Sequence, residues 1–367
     1  MNSTIELNSD RWPEDLIDKN IAFALYRLPM TKEPVLVIQR SGEPKRLTDF
    51  TQLQNEKGFV MAPFSISEDS PLIVIEPTDI LEGWDNLEKG FDLNGDTTVC
   101  SLHSNMNTND FQQYQDVFTK FSHALHQKEF EKLVLSRSKV CKVTGEYLLY
   151  ALFKKACALY ENAFVYLCFT QSGGVWIGST PEILLSGKSG NYSTVALAGT
   201  MRISDPFIAY EWSKKNQQEQ AIVSEYIRAS LKTLGINPEE QGPFTATAGN
   251  LIHLKTIFEF SLSESSQVSE LVSLLHPTPA VCGLPKKEAY TFIRKHEGYD
   301  RKYYSGFLGM IDAEGETNLY VNLRCMQLSS KEIRFFAGGG ILCGSDAESE
   351  WNETEDKMQT MRSLFLH

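Results

Sequence analysis

The chain has no long apolar run, no paired cysteines and no excess of basic charge. Its longest apolar stretch covers about residues 163–169 of 367, far short of the ~20 residues that cross a bilayer as a helix. The opening Met-Asn-Ser-Thr-Ile-Glu-Leu carries neither a basic start nor an apolar segment, so no secretory leader is expected. The seven cysteines are Cys100, Cys141, Cys157, Cys168, Cys282, Cys325 and Cys343. Their number is odd, no two form a C-x-x-C pair, and most lie in apolar strand or helix patterns. They read as buried thiols in a reducing cytoplasm, not as disulfides or zinc ligands. Lys plus Arg is 35 against 47 Asp plus Glu, a formal net charge of −12. That balance argues against a broad face for nucleic acid, and an anionic substrate must find a local positive site within an acidic protein. P-loop, G-x-G-x-x-G, H-E-x-x-H and Ser/His/Asp signatures are all missing, as are internal repeats and linkers.

What is present is a mixture of amphipathic helices and many strands. Residues 110–127 carry Phe111, Tyr114, Phe118, Phe121 and Leu125 on one helical stripe, capped by Asn109 or Asp110. Further helices are expected at 146–160, 213–234 and 349–365. Strands are expected at 132–143, 163–170, 175–177, 183–186, 192–198, 251–260, 303–312, 318–328 and 332–336, with shorter strand-like pieces before residue 105. Length alone suggests about two domains at ~150 residues each. The pattern suggests an α+β fold with large antiparallel sheets flanked by helices.

Several polar residues stand where apolar ones belong. Glu219 lies on the stripe of Ile222, Val223, Tyr226, Ile227 and Leu231. It is either a first-turn residue favouring the helix dipole or a buried carboxylate in need of a cation. Glu350, Glu353 and Lys357 share a face that continues into Met361 and Leu364. This is either a solvated face with an intrahelical pair or part of an oxygen-ligand Mg²⁺ site. The run Ala337-Gly338-Gly339-Gly340-Ile341 sits between a strand and that helix. It reads as a tight turn or as amides that meet a carboxylated ligand. Lys132 heads a strand as an edge gatekeeper or as a base. Glu182 is a surface residue or a general acid. Arg324 is a solvent-face residue or a carboxylate clamp. His123 and His126 lie on a polar helix edge, and His253 and His276 read as structural histidines.

In order along the chain, the segments are Lys132-Leu-Val-Leu-Ser-Arg137, Ile177-Gly-Ser-Thr-Pro-Glu182, Ala196-Leu-Ala-Gly-Thr200, Glu219-Gln-Ala-Ile-Val223, His253-Leu-Lys-Thr256, His276-Pro-Thr-Pro-Ala-Val-Cys-Gly-Leu-Pro285, Arg301-Lys-Tyr-Tyr-Ser-Gly306, and Ala337-Gly-Gly-Gly-Ile341 followed by Ser345 and Glu350-Trp-Asn-Glu353-Thr-Glu-Asp-Lys357. Together they resemble the chorismate-utilising enzymes, which include isochorismate, salicylate, anthranilate and aminodeoxychorismate synthases. The resemblance covers residues 109–362. It implies one large domain over 1–367 of the anthranilate/aminodeoxychorismate synthase type, with 109–362 as the chorismate-binding core and 1–108 as an N-terminal part of the same fold.

The resemblance also implies roles. Members that add ammonia to form anthranilate carry Gln where this chain has Lys132. Members that form aminodeoxychorismate carry a nucleophilic Lys at the place of Ala198. Water is therefore the implied nucleophile, and isochorismate the implied product. The catalytic residues would be Lys132, a base that must be neutral to take a proton from water attacking C2, and Glu182, an acid protonating the departing C4 hydroxyl. Glu219, Glu350 and Glu353 would hold Mg²⁺. Thr200, His253, Tyr304, Arg324, Gly338, Gly340 and Lys357 would hold the substrate. Two positions depart from the usual pattern: Gln220 stands where His often follows, and Gly339 replaces a common Ala. A cytoplasmic monomer is expected, with chorismate as its small-molecule substrate and no nucleic acid, membrane or glutaminase partner. The rival readings are a salicylate synthase, which adds pyruvate elimination, an amide-dependent member with a glutaminase partner, and a catalytically inactive binding protein.

Overall fold

The computed structural model describes residues 7, 9–89, 99–103, 110–202, 211–248, 251–329 and 331–365. It is an α+β sandwich of two large antiparallel sheets with helices on the outside. The first sheet runs, from one edge, through Gly283–Leu284, Lys132–Glu146, Glu332–Ile341, Cys325–Leu328, Gly174–Thr180, Phe164–Thr170, Ala22–Arg27, Val35–Gln39 and Asp79–Glu82. The strand Val99–His103 pairs with the far end of Lys132–Glu146. The second sheet runs through Glu239–Ala248, Leu251–Ser261, Asn191–Arg202, Ile183–Lys188, Glu316–Val321, Phe307–Asp312, Lys57–Ala62, Leu72–Ile75 and Lys45–Leu47.

Strand alternation builds the layers. In Phe164–Thr170, the side chains of Phe164, Tyr166 and Cys168 face the second sheet. They meet Phe59, Met61, Leu308 and Tyr320 there. Val165, Leu167 and Phe169 face outward, toward the helices Trp12–Asp18, Leu149–Leu159 and Ala347–Arg362. This strand is the apolar run near 163–169, and both of its faces are buried. The second sheet buries its outer face under Lys214–Thr233 and Ser266–Leu275. The helix Asp110–His126 buries Tyr114, Phe118, Phe121 and Leu125 as its stripe requires, while His123 and His126 are exposed. Asn109 lies outside the described residues.

Three expectations need adjusting. The segment 318–328 is not one strand. It divides into Glu316–Val321 in the second sheet and Cys325–Leu328 in the first, so the alternation read through Arg324 breaks at the crossing. The glycines 338–340 do not form a tight turn. They extend a strand to Ile341 that pairs with Lys132–Glu146 along its whole length. Residues 303–306 precede the strand Phe307–Asp312 as a turn, with Ser305 at φ 62°. Of the described cysteines none is disulfide-bonded, and only Cys343 is exposed.

The strand that begins at Lys132 is completed by side chains. Gly283–Leu284 covers only Leu133 and Lys132 at the sheet edge. Beyond that short cover, Arg301 donates to Val134 O at 2.9 Å and to Val281 O at 2.7 Å. Glu297 accepts from the Ser136 amide at 2.7 Å and from the Ser136 hydroxyl at 2.8 Å. Arg301 and Glu297 are themselves a bidentate, fully buried ion pair, with both hydrogen bonds at 2.6 Å. Removing one member of such a pair strands the other charge. Arg301→Met is expected to lower the unfolding free energy by about 3–5 kcal/mol, read from urea denaturation.

Candidate active site

Two crossings between the sheets make one wall of the site. The chain leaves the first sheet at Thr180 and enters the second at Ile183. It returns between Val321 and Cys325. The crossings lie side by side. The Ser179 amide donates to Arg324 O at 2.8 Å, the Val321 amide to Glu182 O at 2.9 Å, and the Thr180 hydroxyl to Val321 O at 2.6 Å. Asn322 fixes the return: it accepts from Tyr166 Oη at 2.7 Å and donates to Tyr303 O at 2.9 Å. Glu182 and Arg324 are thus carried on connecting segments yet buried. Burial raises the Glu182 carboxyl to about 8, against the pull of Lys132, Arg324 and Lys357. Arg324 makes no ion pair among the described residues. Its polar side-chain contact is Nη2 to His253 Nε2 at 3.4 Å. A buried guanidinium without a carboxylate is a place prepared for an anion. A cavity of about 230 Å³ reaches it past Ser179, Pro181 and Thr247.

The second sheet supplies Thr200 and His253, which oppose each other across a bulge at Gly199, where φ is +71°. His253 Nδ1 lies 3.0 Å from Gly199 O and 3.3 Å from Thr200 Oγ1. A carbonyl only accepts, so Nδ1 carries the proton and Nε2 accepts from Arg324. Burial, reinforced by Arg324 and Lys357, lowers the ring to about 3 and holds it neutral. His276 has the structural role read from the sequence. It lies buried between Phe50 and Phe307, with Nε2 3.2 Å from Pro63 O.

The opposite wall comes from the first sheet. Lys132 has no exposed surface, and its Nζ lies 3.0 Å from Glu219 Oε1 without a hydrogen bond of ordinary geometry. Burial acts to raise the Glu219 carboxyl, but Lys132, with Lys357 and Lys215 behind it, outweighs this and leaves it lowered. The helix Lys214–Thr233, capped by the Ser213 hydroxyl, aims Glu219 across the gap. The neighbouring Gln220 pins this turn to the second sheet, donating to Ala196 O and Thr256 Oγ1 at 3.1 Å each.

Ladder geometry explains the glycines. Val134 sends its amide to Cys282 O and Ser136 sends its own to Glu297, so neither bonds to its ladder partner, Gly340 or Gly338. In an antiparallel pair two opposed residues either both face each other or both face away, so Gly338 and Gly340 present their polar groups at the other edge. The Cys325–Leu328 strand covers that edge only as far as Phe335. Lys357 Nζ takes Gly338 O at 2.8 Å. A Cβ on Gly340 would fall 2.2 Å from Glu219 Oε1 and 2.9 Å from Lys132 Cε, and one on Gly338 3.0 Å from Tyr304 Oη. Tyr304 is held by a stack on Phe336, which stacks in turn on Trp176. Burial raises its hydroxyl to about 12, so it stays a donor at neutral pH.

The last helix brings Glu350, Glu353 and Lys357 to this edge. Glu353 pairs with Lys357, and Glu350 Oε1 with Lys215. Glu350 Oε2 is buried without a partner. Burial, reinforced by Glu353, raises the Glu350 carboxyl against the pull of Lys215. The missing side chain of Gly339 leaves a point 3.1 Å from Glu350 Oε2 and 3.5 Å from Glu353 Oε1. These are hard oxygen donors with one orphaned atom, a set that fits Mg²⁺. Among the described residues no three acidic or soft side chains close into a finished cage. Mg²⁺ does not require one, because it keeps waters and takes substrate oxygens. Lys132, Glu182, Thr200, Glu219, His253, Tyr304, Arg324, Gly338, Gly340, Glu350, Glu353 and Lys357 therefore lie on this one edge of the sandwich or at the adjacent crossings, while His123, His126 and His276 lie elsewhere. Lys215, Ser136, Glu297 and Asn322 were not singled out. They act through partners more than a hundred residues away, and no local spacing marks that.

A sequence model of the family described as chorismate binding enzyme matches residues 53–366, starting well before the motif-bearing part. The isochorismate synthase EntC of Escherichia coli is 34% identical over 204 residues, 53% of this chain and 52% of its own. The vibriobactin-specific isochorismate synthase of Vibrio cholerae is 29% identical over 273 residues, 68% of this chain and 66% of its own. The aligned region thus spans about half to two thirds of these relatives. In fold, the chain is similar to MenF, the menaquinone-specific isochorismate synthase from Escherichia coli. The TM-score is 0.76 at 21% identity, over 94% of this chain and 88% of that one. No helix among the described residues is long and apolar enough to cross a membrane.

The two buried histidines carry a pH signature. Each has a folded pKa of about 3 against 6.5 for the free ring. Below about 6.5 the unfolded chain binds protons that the folded chain refuses, so their contribution to stability falls as pH drops from about 6.5 toward 3. Ring ¹⁵N shifts of His253 are expected to show protonated Nδ1 and bare Nε2 unchanged from pH 8 to pH 5.

Proposed function

The chain belongs to the chorismate binding enzymes, and from that premise we propose that it is an isochorismate synthase, exchanging the C4 hydroxyl of chorismate for one at C2. The observation that carries this reading is the pair of unlike groups around an unpaired cation: buried Lys132 on one sheet, and on the crossing Glu182, protonated to about pH 8, beside Arg324. A dicarboxylate needs the cation, and the exchange of a hydroxyl needs a base and an acid.

In this mechanism Arg324 and Tyr304 take the enolpyruvyl carboxylate, with the outward Gly338 and Gly340 amides and Lys357 alongside. Neutral His253, itself fixed by Gly199, keeps Arg324 aimed, and Thr200 completes that wall. Lys132 takes the proton of the attacking water, while Glu182 gives its proton to the leaving hydroxyl. Glu219, Glu350 and Glu353 would hold Mg²⁺, which when bound neutralises the ring carboxylate and draws electron density toward it. Ala198 offers no amine for a covalent adduct, in keeping with water as the nucleophile. We further assign the protein to the cytoplasm, as a monomer without a glutaminase subunit. Its unpaired thiols suit that compartment.

Incubation with chorismate and Mg²⁺ is expected to yield isochorismate by chromatography. Salicylate plus pyruvate would replace the reading with the longer reaction, and no turnover would leave only a binding protein. Lys132→Ala and Glu182→Gln are each expected to lower kcat by about 10²–10⁴-fold. Because the acid must be protonated, wild-type kcat is expected to fall above about pH 8. Normal turnover by either variant would remove that residue from the mechanism.

A further inference from the structure

Three lysines answer the three glutamates assigned to the metal, one each: Lys132 with Glu219, Lys357 with Glu353 and Lys215 with Glu350. They are not equivalent. Lys132 is sealed in, with 0% of its side chain exposed. Lys357 is 9% exposed and has a second anchor in Gly338 O at 2.8 Å. Lys215 is 36% exposed, and Glu350 is its only ion-pair or hydrogen-bond partner among the described residues. Of the three ammonium groups it alone can withdraw into water without losing a second bond or being dragged from a dry interior.

Its partner is the reverse. Glu350 is 1% exposed, and its second oxygen has no partner although it faces the point that Gly339 leaves open beside Glu353 Oε1. A carboxylate so enclosed needs a cation at all times. Lys215 also stands one turn before Glu219 on the same helix, so its ammonium approaches the same edge from the solvent side.

We propose that Lys215 is a resident counter-ion which occupies Glu350 until a divalent cation arrives and then withdraws, so that this lysine sets the affinity of the site for the metal. The proposal rests on the assignment of Glu219, Glu350 and Glu353 to Mg²⁺. The exchange keeps Glu350 compensated in both states. The cost of expelling one ammonium weakens Mg²⁺ binding.

The test is calorimetric titration of the full chain, stripped with EDTA, with MgCl₂ alone. It uses wild type, Lys215→Gln, which retains a donor for Glu350, and Lys215→Met, which retains neither donor nor charge. Both variants are expected to bind Mg²⁺ about tenfold tighter than wild type. Both should melt lower than wild type in EDTA and gain more in Tm on adding Mg²⁺. Equal Kd in all three, or weaker binding by the variants, would overturn the role of Lys215 while leaving the metal site standing. Uptake by none of the three, with no shift in Tm, would overturn the metal assignment and this proposal together. Lys215→Gln decides alone if Lys215→Met does not fold.

Discussion

A charge taken out of water must be met by an opposite charge or by several hydrogen bonds, and at this edge of the sandwich that requirement governs the layout. Lys132 is met by Glu219 from a helix on the other sheet. Arg301 is met by Glu297 and by two backbone carbonyls. Arg324 is the exception, a buried guanidinium with no ion pair among the described residues, whose polar contact is a neutral ring. Fully satisfied networks fix a structure, and an unsatisfied one marks where something is to be added. The contrast between the completed Arg301 pair and the open Arg324 separates scaffold from site without reference to any other protein.

The scaffold pair acts on the site through the backbone. Glu297 and Arg301 occupy the polar groups of Ser136 and Val134. The same ladder register turns the groups of Gly338 and Gly340 outward at the other edge. One ion pair therefore does the work of a missing strand and, across the ladder, exposes the two amides beside Lys357 and Tyr304. The absence of a Cβ on Gly340 then leaves room for the Lys132–Glu219 pair. Gly338 likewise lets Tyr304 approach.

Much of this was legible in the sequence where the signal is local. Glu219 on an apolar stripe, and Glu350 and Lys357 leading into another, were visible because helical spacing betrays a polar residue on a buried face. The histidines at 123, 126 and 276 behaved as their surroundings indicated. The strand end expected at 336 and the single strand expected at 318–328 differ from the structure for one reason. Local alternation cannot reveal that a chain changes sheets at Asn322, nor that glycines are kept in a strand by a partner some two hundred residues earlier. Lys215 and Glu297 look like ordinary charged residues on helix ends. Only the tertiary pairing with Glu350 and Ser136 distinguishes them. The wider resemblance supplied roles, not positions.

One feature of the inter-sheet core reaches further than its place suggests. Phe164 and Tyr320 stack at 4.3 Å with their planes 6° apart, one from each sheet. Phe164 is the ladder partner of Thr180, and Tyr320 that of Ile183. The two rings thus flank the short span that carries Pro181 and Glu182 from one sheet to the other. The distance that this span must bridge is set by the packing of that aromatic pair. Glu182 is then held as a bridge holds its keystone, by the gauge of its abutments. Replacing either ring with a smaller one would draw the abutments together and shift the Glu182 carboxyl between them.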